Sequence, residues 1–281
     1  MSTPSKIFPT WVFLSLAANG LLVVAIAGVL QRQYQWSALS PVSQSAAATR
    51  LAAQKSEPVS ELGPRHQLNY QQWVTLLEQE AQVIAAQRPE HLAVLIGDSI
   101  SLWFPNELLP PERSWLNQGI SGETSAGLLN RLELLDNTQP EVIFMLIGIN
   151  DLIRGVDDET ILANQELIVG YLRRVHPQAK IVVQSILPHG ADKVTWEGRD
   201  RLVSIPNSRI RDINQKLKAI AKDEDVTYLD LYPLFADSEG NLKPELSTDG
   251  LHLSPQGYLV WRNALLVFNQ LVLEPTESKS N

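Results

Sequence analysis

Five consecutive apolar residues, Leu92-Ala93-Val94-Leu95-Ile96, run into Gly97-Asp98-Ser99-Ile100-Ser101. An unbroken apolar run of this length, closed by a glycine, fits a strand covered on both faces, which is the environment of a parallel sheet flanked by helices. Gly97 then lets the chain turn sharply. Ser99 is therefore predicted at the carboxyl edge of a strand, where open α/β sheets bind their ligands. Two readings of Ser99 follow: a nucleophile, or a residue that only caps the next helix.

The same pattern repeats downstream. Ser114–Ile120 is predicted as a second strand, followed by the turn Ser121-Gly122-Glu123-Thr124-Ser125 and a helix from Ala126 to Leu135. A third strand, Val142–Ile147, ends in Gly148-Ile149-Asn150-Asp151 before a helical pattern over Glu159–Val175. A fourth covers Lys180–Leu187 and a fifth Val226–Asp230, with a long polar loop, residues 188–206, and a helix from Asn207 to Lys222 between them. Strands alternating with helices over a few tens of residues predict a doubly wound parallel sheet.

Several residues at strand ends have useful chemistry. A bare N–H at Gly122 and the side-chain amide of Asn150 are of the type that stabilises a developing oxyanion, although a glycine in a turn is also simply a turn. Asp151 reads as a turn or capping residue. Trp103 and Phe104 fit either a pocket wall or the core. In the rim loop, His189, Trp196 and Arg199 mark a candidate substrate-selecting element by position alone. Beyond the fifth strand, Thr248-Asp249-Gly250-Leu251-His252 precedes Ser254-Pro255, a cap followed by proline at the first helical position, and a closing helix to Leu271. The three-residue separation lets a carboxylate orient one imidazole nitrogen while the other faces a serine.

Taken together and in order, Gly97-Asp98-Ser99, Asn117 through Gly122 with Thr124, Gly148-Ile149-Asn150-Asp151, and Asp249-Gly250-Leu251-His252 resemble the four blocks of the SGNH hydrolases, the GDSL esterases and lipases. The resemblance spans roughly Leu92–Leu271. It implies a flavodoxin-like three-layer sandwich with a five-stranded parallel sheet, and a serine esterase working through an acyl-enzyme. By position it implies Ser99 as nucleophile, His252 as base and Asp249 as its orienting carboxylate. The oxyanion hole it implies comprises the Ser99 N–H, the Gly122 N–H and the Asn150 side chain. Ile100 replaces the leucine usual in the first block. Ser101 excludes the nucleophile elbow of the α/β-hydrolases, which needs glycine there. No cofactor or metal is expected. Acyl transfer to a cell-envelope carbohydrate, and a catalytically silent envelope-binding module, are the alternatives to hydrolysis.

The rest of the chain predicts where such a domain resides. Residues 7–31 carry no Lys, Arg, Asp or Glu, and 20 apolar-dominated residues from Trp11 to Leu30 are long enough, at about 30 Å, to span a bilayer. Residues 1–31 are therefore expected to be a signal anchor or, with Ala25-Ile26-Ala27 as a cleavage site, a signal peptide. Residues 32–65, rich in Ser, Ala and Gln with Pro41, Pro58 and Pro64, read as a flexible linker spanning roughly 33 Å. Residues 66–273 form the expected catalytic domain, and 274–281 a disordered tail. The domain is expected on the extracytoplasmic side, tethered or secreted, acting on a small-molecule, glycan or lipid ester. Of the chain's 23 basic and 31 acidic residues, 5 and 2 fall within residues 1–65, which leaves the remainder at 18 against 29, a net of −11. Such a surface has no electrostatic footprint for nucleic acid. With no cysteine, disulfides and thiolate metal sites are excluded.

Overall fold

A computed structural model describes residues 68–273. The expected anchor or signal peptide (1–31), the linker (32–65) and the tail (274–281) lie outside the described residues, among which no helix is long and apolar enough to cross a membrane. The described chain forms one five-stranded parallel sheet: β1 (Leu92–Gly97), β2 (Ser114–Gly119), β3 (Val142–Leu146), β4 (Lys180–Gln184) and β5 (Thr227–Leu229). Their spatial order is β2-β1-β3-β4-β5. This is the flavodoxin-like order, in which the chain leaves β1 toward one edge and returns to continue on its other side.

Every residue of β1 is buried, which requires a layer on each face of the sheet. The helices that supply those layers begin with α1 (Tyr70–Gln87), capped by Asn69 in a reciprocal box with Gln72 and stopped at Arg88, which adopts a left-handed conformation before Pro89. Helices α5 (Asp158–Val175) and α7 (Asn207–Asp223) carry fully buried aliphatic stripes such as Ile161-Ile168-Leu172 and Ile210-Ile213-Leu217. The closing helix α9 (Pro255–Phe268) brings Phe268 edge-on to Phe144 of β3, and Trp261 donates from Nε1 to Gln184 Oε1 at 2.8 Å.

Short helices occupy the sheet edge: α2 (Ser99–Leu102), α3 (Ser125–Leu129), α4 (Ile149–Ile153), α6 (Arg199–Val203) and α8 (Tyr232–Phe235). Two expected helices are broken. The one expected from Ile100 to Leu108 stops at Leu102, and Pro105 separates it from a single 3₁₀ turn at Asn106–Leu108. The one expected over 126–135 ends at Leu129, and a 3₁₀ turn follows at Leu132–Leu135; between them Arg131 turns inward to pair with buried Glu123. The loop at 188–206 is more ordered than its polarity implied, because it contains α6 and a 3₁₀ turn at Ala191–Lys193.

Register positions the site. Gly97 of β1 lies level with Gly119 of β2 and with Leu146 of β3, so the segments leading to Ser99, Gly122 and Asn150 leave the sheet at one height. Gly97 is needed for close packing, since a Cβ there would sit 2.1 Å from the carbonyl oxygen of Leu146. Ser99 follows β1 and Asn150 follows β3. These two strands flank the point where the winding reverses, which is where ligands bind in this topology.

Candidate active site

Ser99 is the first residue of α2, and the helix is capped by its neighbour: Asp98 Oδ1 accepts the Ile100 N–H at 3.0 Å. The capping reading of Ser99 is thereby corrected, and its hydroxyl is free for other work. Ser99 Oγ lies 3.2 Å from His252 Nε2, and His252 Nδ1 lies 2.7 Å from Asp249 Oδ2. An ionised carboxylate only accepts, so Nδ1 carries the proton and Nε2 is the acceptor in neutral imidazole. The serine hydroxyl therefore donates to His252. Asp249 also shapes its own turn, with Oδ1 accepting the N–H groups of Leu251 at 2.9 Å and His252 at 2.8 Å. Burial pushes the Asp249 carboxyl up, but the bonds from the His252 ring and from the two backbone N–H groups outweigh it and hold the group below the usual carboxylate range.

Trp103, just past α2, settles as a site residue, with its ring centroid 4.3 Å from that of His252 and nearly half of its surface (48%) exposed. Phe104 goes the other way, into the core beside Tyr258 and Trp261. The rim loop braces the turn that carries Asp249 and His252. Thr195 and Trp196 donate their N–H groups to the Asp249 carbonyl at 2.8 and 3.1 Å, and Gly190 donates to the Gly250 carbonyl at 2.8 Å. His189 is buried in that loop. Its Nδ1 accepts the Ala191 N–H at 3.1 Å and its Nε2 donates to the Ile205 carbonyl at 2.5 Å, while burial lowers its basicity. Both ring nitrogens are used structurally. Trp196 is half-buried against the core and Arg199 is exposed, its guanidinium 3.4 Å from the Asp192 carbonyl.

The segments that leave β1, β2 and β3 at one height each carry a candidate hydrogen-bond donor. As the first residue of α2, Ser99 has an N–H with no acceptor inside the helix. The Glu123 N–H bonds the Ile120 carbonyl at 3.2 Å, closing a turn with Gly122 at its third position and φ of +75°. Ser121 has no positive φ, so this is a type II turn, in which only glycine or asparagine sits comfortably at that position. The turn type matters because the peptide linking Ser121 to Gly122 is the one that rotates between types I and II. It carries the Gly122 N–H. Asn150, in the first turn of α4, has a buried Nδ2 with no hydrogen-bond partner among the described residues. A buried donor left unpaired is costly, so its persistence fits a group reserved for a ligand oxygen.

Asp151 is more than the turn or cap residue expected from sequence. It is buried, and its carboxylate accepts the Ser125 N–H at 2.9 Å and the Ser125 hydroxyl at 2.6 Å, so it caps α3 from another element. Burial raises its pKa, opposed by those two bonds. Arg154 adds a second tie, donating from Nη2 to the Gly122 carbonyl at 2.6 Å. Neither link is visible in sequence, since each joins α4 to a turn more than twenty-five residues away. Among the described residues, no group of His, Asp and Glu is arranged to hold a metal ion.

A flavodoxin-like sheet whose carboxyl edge holds a Ser-His-Asp hydrogen-bond series has the architecture of an SGNH-type hydrolase. The chain belongs to the GDSL-like Lipase/Acylhydrolase family, which matches residues 95–260. It is similar to the Bos taurus platelet-activating factor acetylhydrolase IB subunit alpha1, 29% identical over 195 residues that cover 66% of this chain and 77% of the relative. The Rattus norvegicus alpha2 subunit is 30% identical over 186 residues, covering 63% and 75%. Among solved structures, a GDSL-like lipase from Bacteroides thetaiotaomicron superposes with a TM-score of 0.58 at 20% identity, over 69% of this chain and 97% of the other, and thereby shares the fold.

Proposed function

We propose that the protein is a serine esterase in which Ser99 is the nucleophile, His252 the general base and Asp249 the carboxylate that orients it. The reading is carried by one observation: the Ser99 hydroxyl, at 3.2 Å, faces an imidazole nitrogen left unprotonated by the Asp249 bond on the other side of the ring. As Oγ bonds to the acyl carbon, its proton passes to Nε2, and the carbonyl oxygen becomes an anion facing the Ser99 N–H, the Gly122 N–H and Asn150 Nδ2. Collapse breaks the bond to the alcohol oxygen, which takes the proton from Nε2. Water then attacks the acyl-enzyme, again losing a proton to His252, and the acid departs as Oγ is restored. No cofactor enters this cycle.

The curated relatives are named for removing an acetyl group, which supports a short acyl chain here. The uncharged apolar stretch before the domain supports an extracytoplasmic enzyme acting on envelope glycan or lipid esters. The test is labelling of the soluble domain with a fluorophosphonate, mapping of the modified residue, and assay of acetyl through long-chain p-nitrophenyl esters. Label on Ser99, with hydrolysis abolished in Ser99→Ala, is the expected result. Label elsewhere, or unchanged turnover by the variant, overturns it.

A further inference from the structure

Arg154 stands in an unusual place for a charged residue. It follows α4, the helix that carries Asn150, and its guanidinium is fixed to the Gly122 carbonyl at 2.6 Å. Apart from that bond the residue is exposed. A Cβ added at Gly122 would have Arg154 Nη2 as its nearest neighbour, at 3.6 Å, so the cation closes over the turn itself. Of the other charges near this turn, Glu123 is paired with Arg131 in the interior, and buried Asp151, which accepts two bonds from Ser125, also feels the Arg154 charge. Arg154 is thus an exposed cation beside the Gly122 turn, in a chain whose residues 66–281 carry a net charge of −11 and a general field that repels anions.

We propose that Arg154 selects esters that carry an anionic oxygen group, a carboxylate or a phosphate, close to the scissile bond. This rests on the esterase reading above. The bond to Gly122 holds the guanidinium in one orientation, so little side-chain freedom is lost when its remaining N–H groups take a charged acceptor in a bidentate fork. His252, which must protonate the leaving oxygen, lies against Trp103, so the alcohol portion leaves beside that ring.

The test compares two matched pairs of substrates: 1-naphthyl hemiglutarate with 1-naphthyl methyl glutarate, and 4-acetoxybenzoate with its methyl ester. The first pair places the charge on the acyl side, the second on the alcohol side. In the wild-type protein the charged member of at least one pair should show a KM about tenfold lower than its neutral partner, with the preference shrinking as salt is raised. Arg154→Gln should erase that preference and Arg154→Lys should keep part of it. A wild-type protein with no charge preference in either pair overturns the proposal. So does Arg154→Gln that slows charged and neutral esters equally, because the residue would then act on the Gly122 turn alone. Failure of the underlying reading is separately visible, since Ser99→Ala would then still hydrolyse the neutral esters.

Discussion

Asp151 holds Ser125 by two hydrogen bonds, one to its backbone N–H and one to its hydroxyl, and so fastens the helix that bears Asn150 to the turn that bears Gly122. The two segments that carry the proposed donors, 28 residues apart, are thus tied together by a buried carboxylate. Asp151→Ala removes both acceptors and strands the Ser125 groups in the interior. The expected cost is about 2–4 kcal/mol of stability, read as a lower denaturant midpoint. Asp151→Asn keeps one acceptor and should lose about half as much.

Gly122→Ala tests the turn rather than its surroundings. The nearest atom to the new methyl is 3.6 Å away, which is ordinary contact, so the strain comes from φ of +75°. A left-handed alanine costs about 1–2 kcal/mol, enough to favour type I and rotate the N–H out of the hole. Turnover should fall about 100-fold, the effect of losing one oxyanion donor, with KM little changed. Steady-state kinetics on a short p-nitrophenyl ester decide it, and an alanine variant of full activity would exclude the donor role.

Asn150→Ala should separate activity from stability in opposite directions. The side chain pays for a buried, unpaired Nδ2 in the resting protein, and alanine removes that penalty in a helical position it favours. Turnover is expected to drop about 100- to 1,000-fold while the melting temperature rises or holds. Falling stability would show that the amide has a structural partner.

Asp98 gives the stability curve a specific slope. Full burial, with minor contributions from Glu123 and Asp151 and opposed by the Ile100 N–H, raises its pKa to about 7, and its Oδ2 has no partner among the described residues. Between the ordinary value near 3.8 and about 7, the unfolded chain has lost a proton that the native one retains. Stability contributed by this group therefore falls as pH rises through that window. Asp98→Asn caps equally well and does not titrate, so it should gain on the wild type from pH 4 to pH 8. Parallel unfolding curves at the two pH values would refute the assignment.

The sheet was legible because its strands are short apolar runs punctuated by glycine, and that pattern survives without tertiary information. The positions of Ser99, Asn150, Asp249 and His252 in the fold were readable for a related reason: each stands at a strand end or a marked helix start. What escaped were contacts between elements. Asp151 and Ser125, Arg154 and Gly122, and Trp103 against His252 are set by the height at which strands leave the sheet, and no local pattern encodes a partner. The cap at Asp98 has no local signature of its own, since Asp and Ser are both good caps and stand side by side. Helix ends near Pro105 and Arg131 are hidden because the apolar stripe continues past the point where the chain turns.

The segment from Gly190 to Trp196 grips Asp249 and Gly250 through three backbone N–H groups, whereas Ser99 is rooted directly in β1. Ser99 and His252 thus depend on different parts of the molecule, a buried strand on one side and a loop anchored by buried His189 and Val194 on the other. Local opening takes less free energy than global unfolding, so release of those three bonds is expected to part His252 from Ser99 before the sheet melts. On the esterase reading proposed above, warming should abolish hydrolysis reversibly at a lower temperature than it abolishes the far-ultraviolet signal of the sheet.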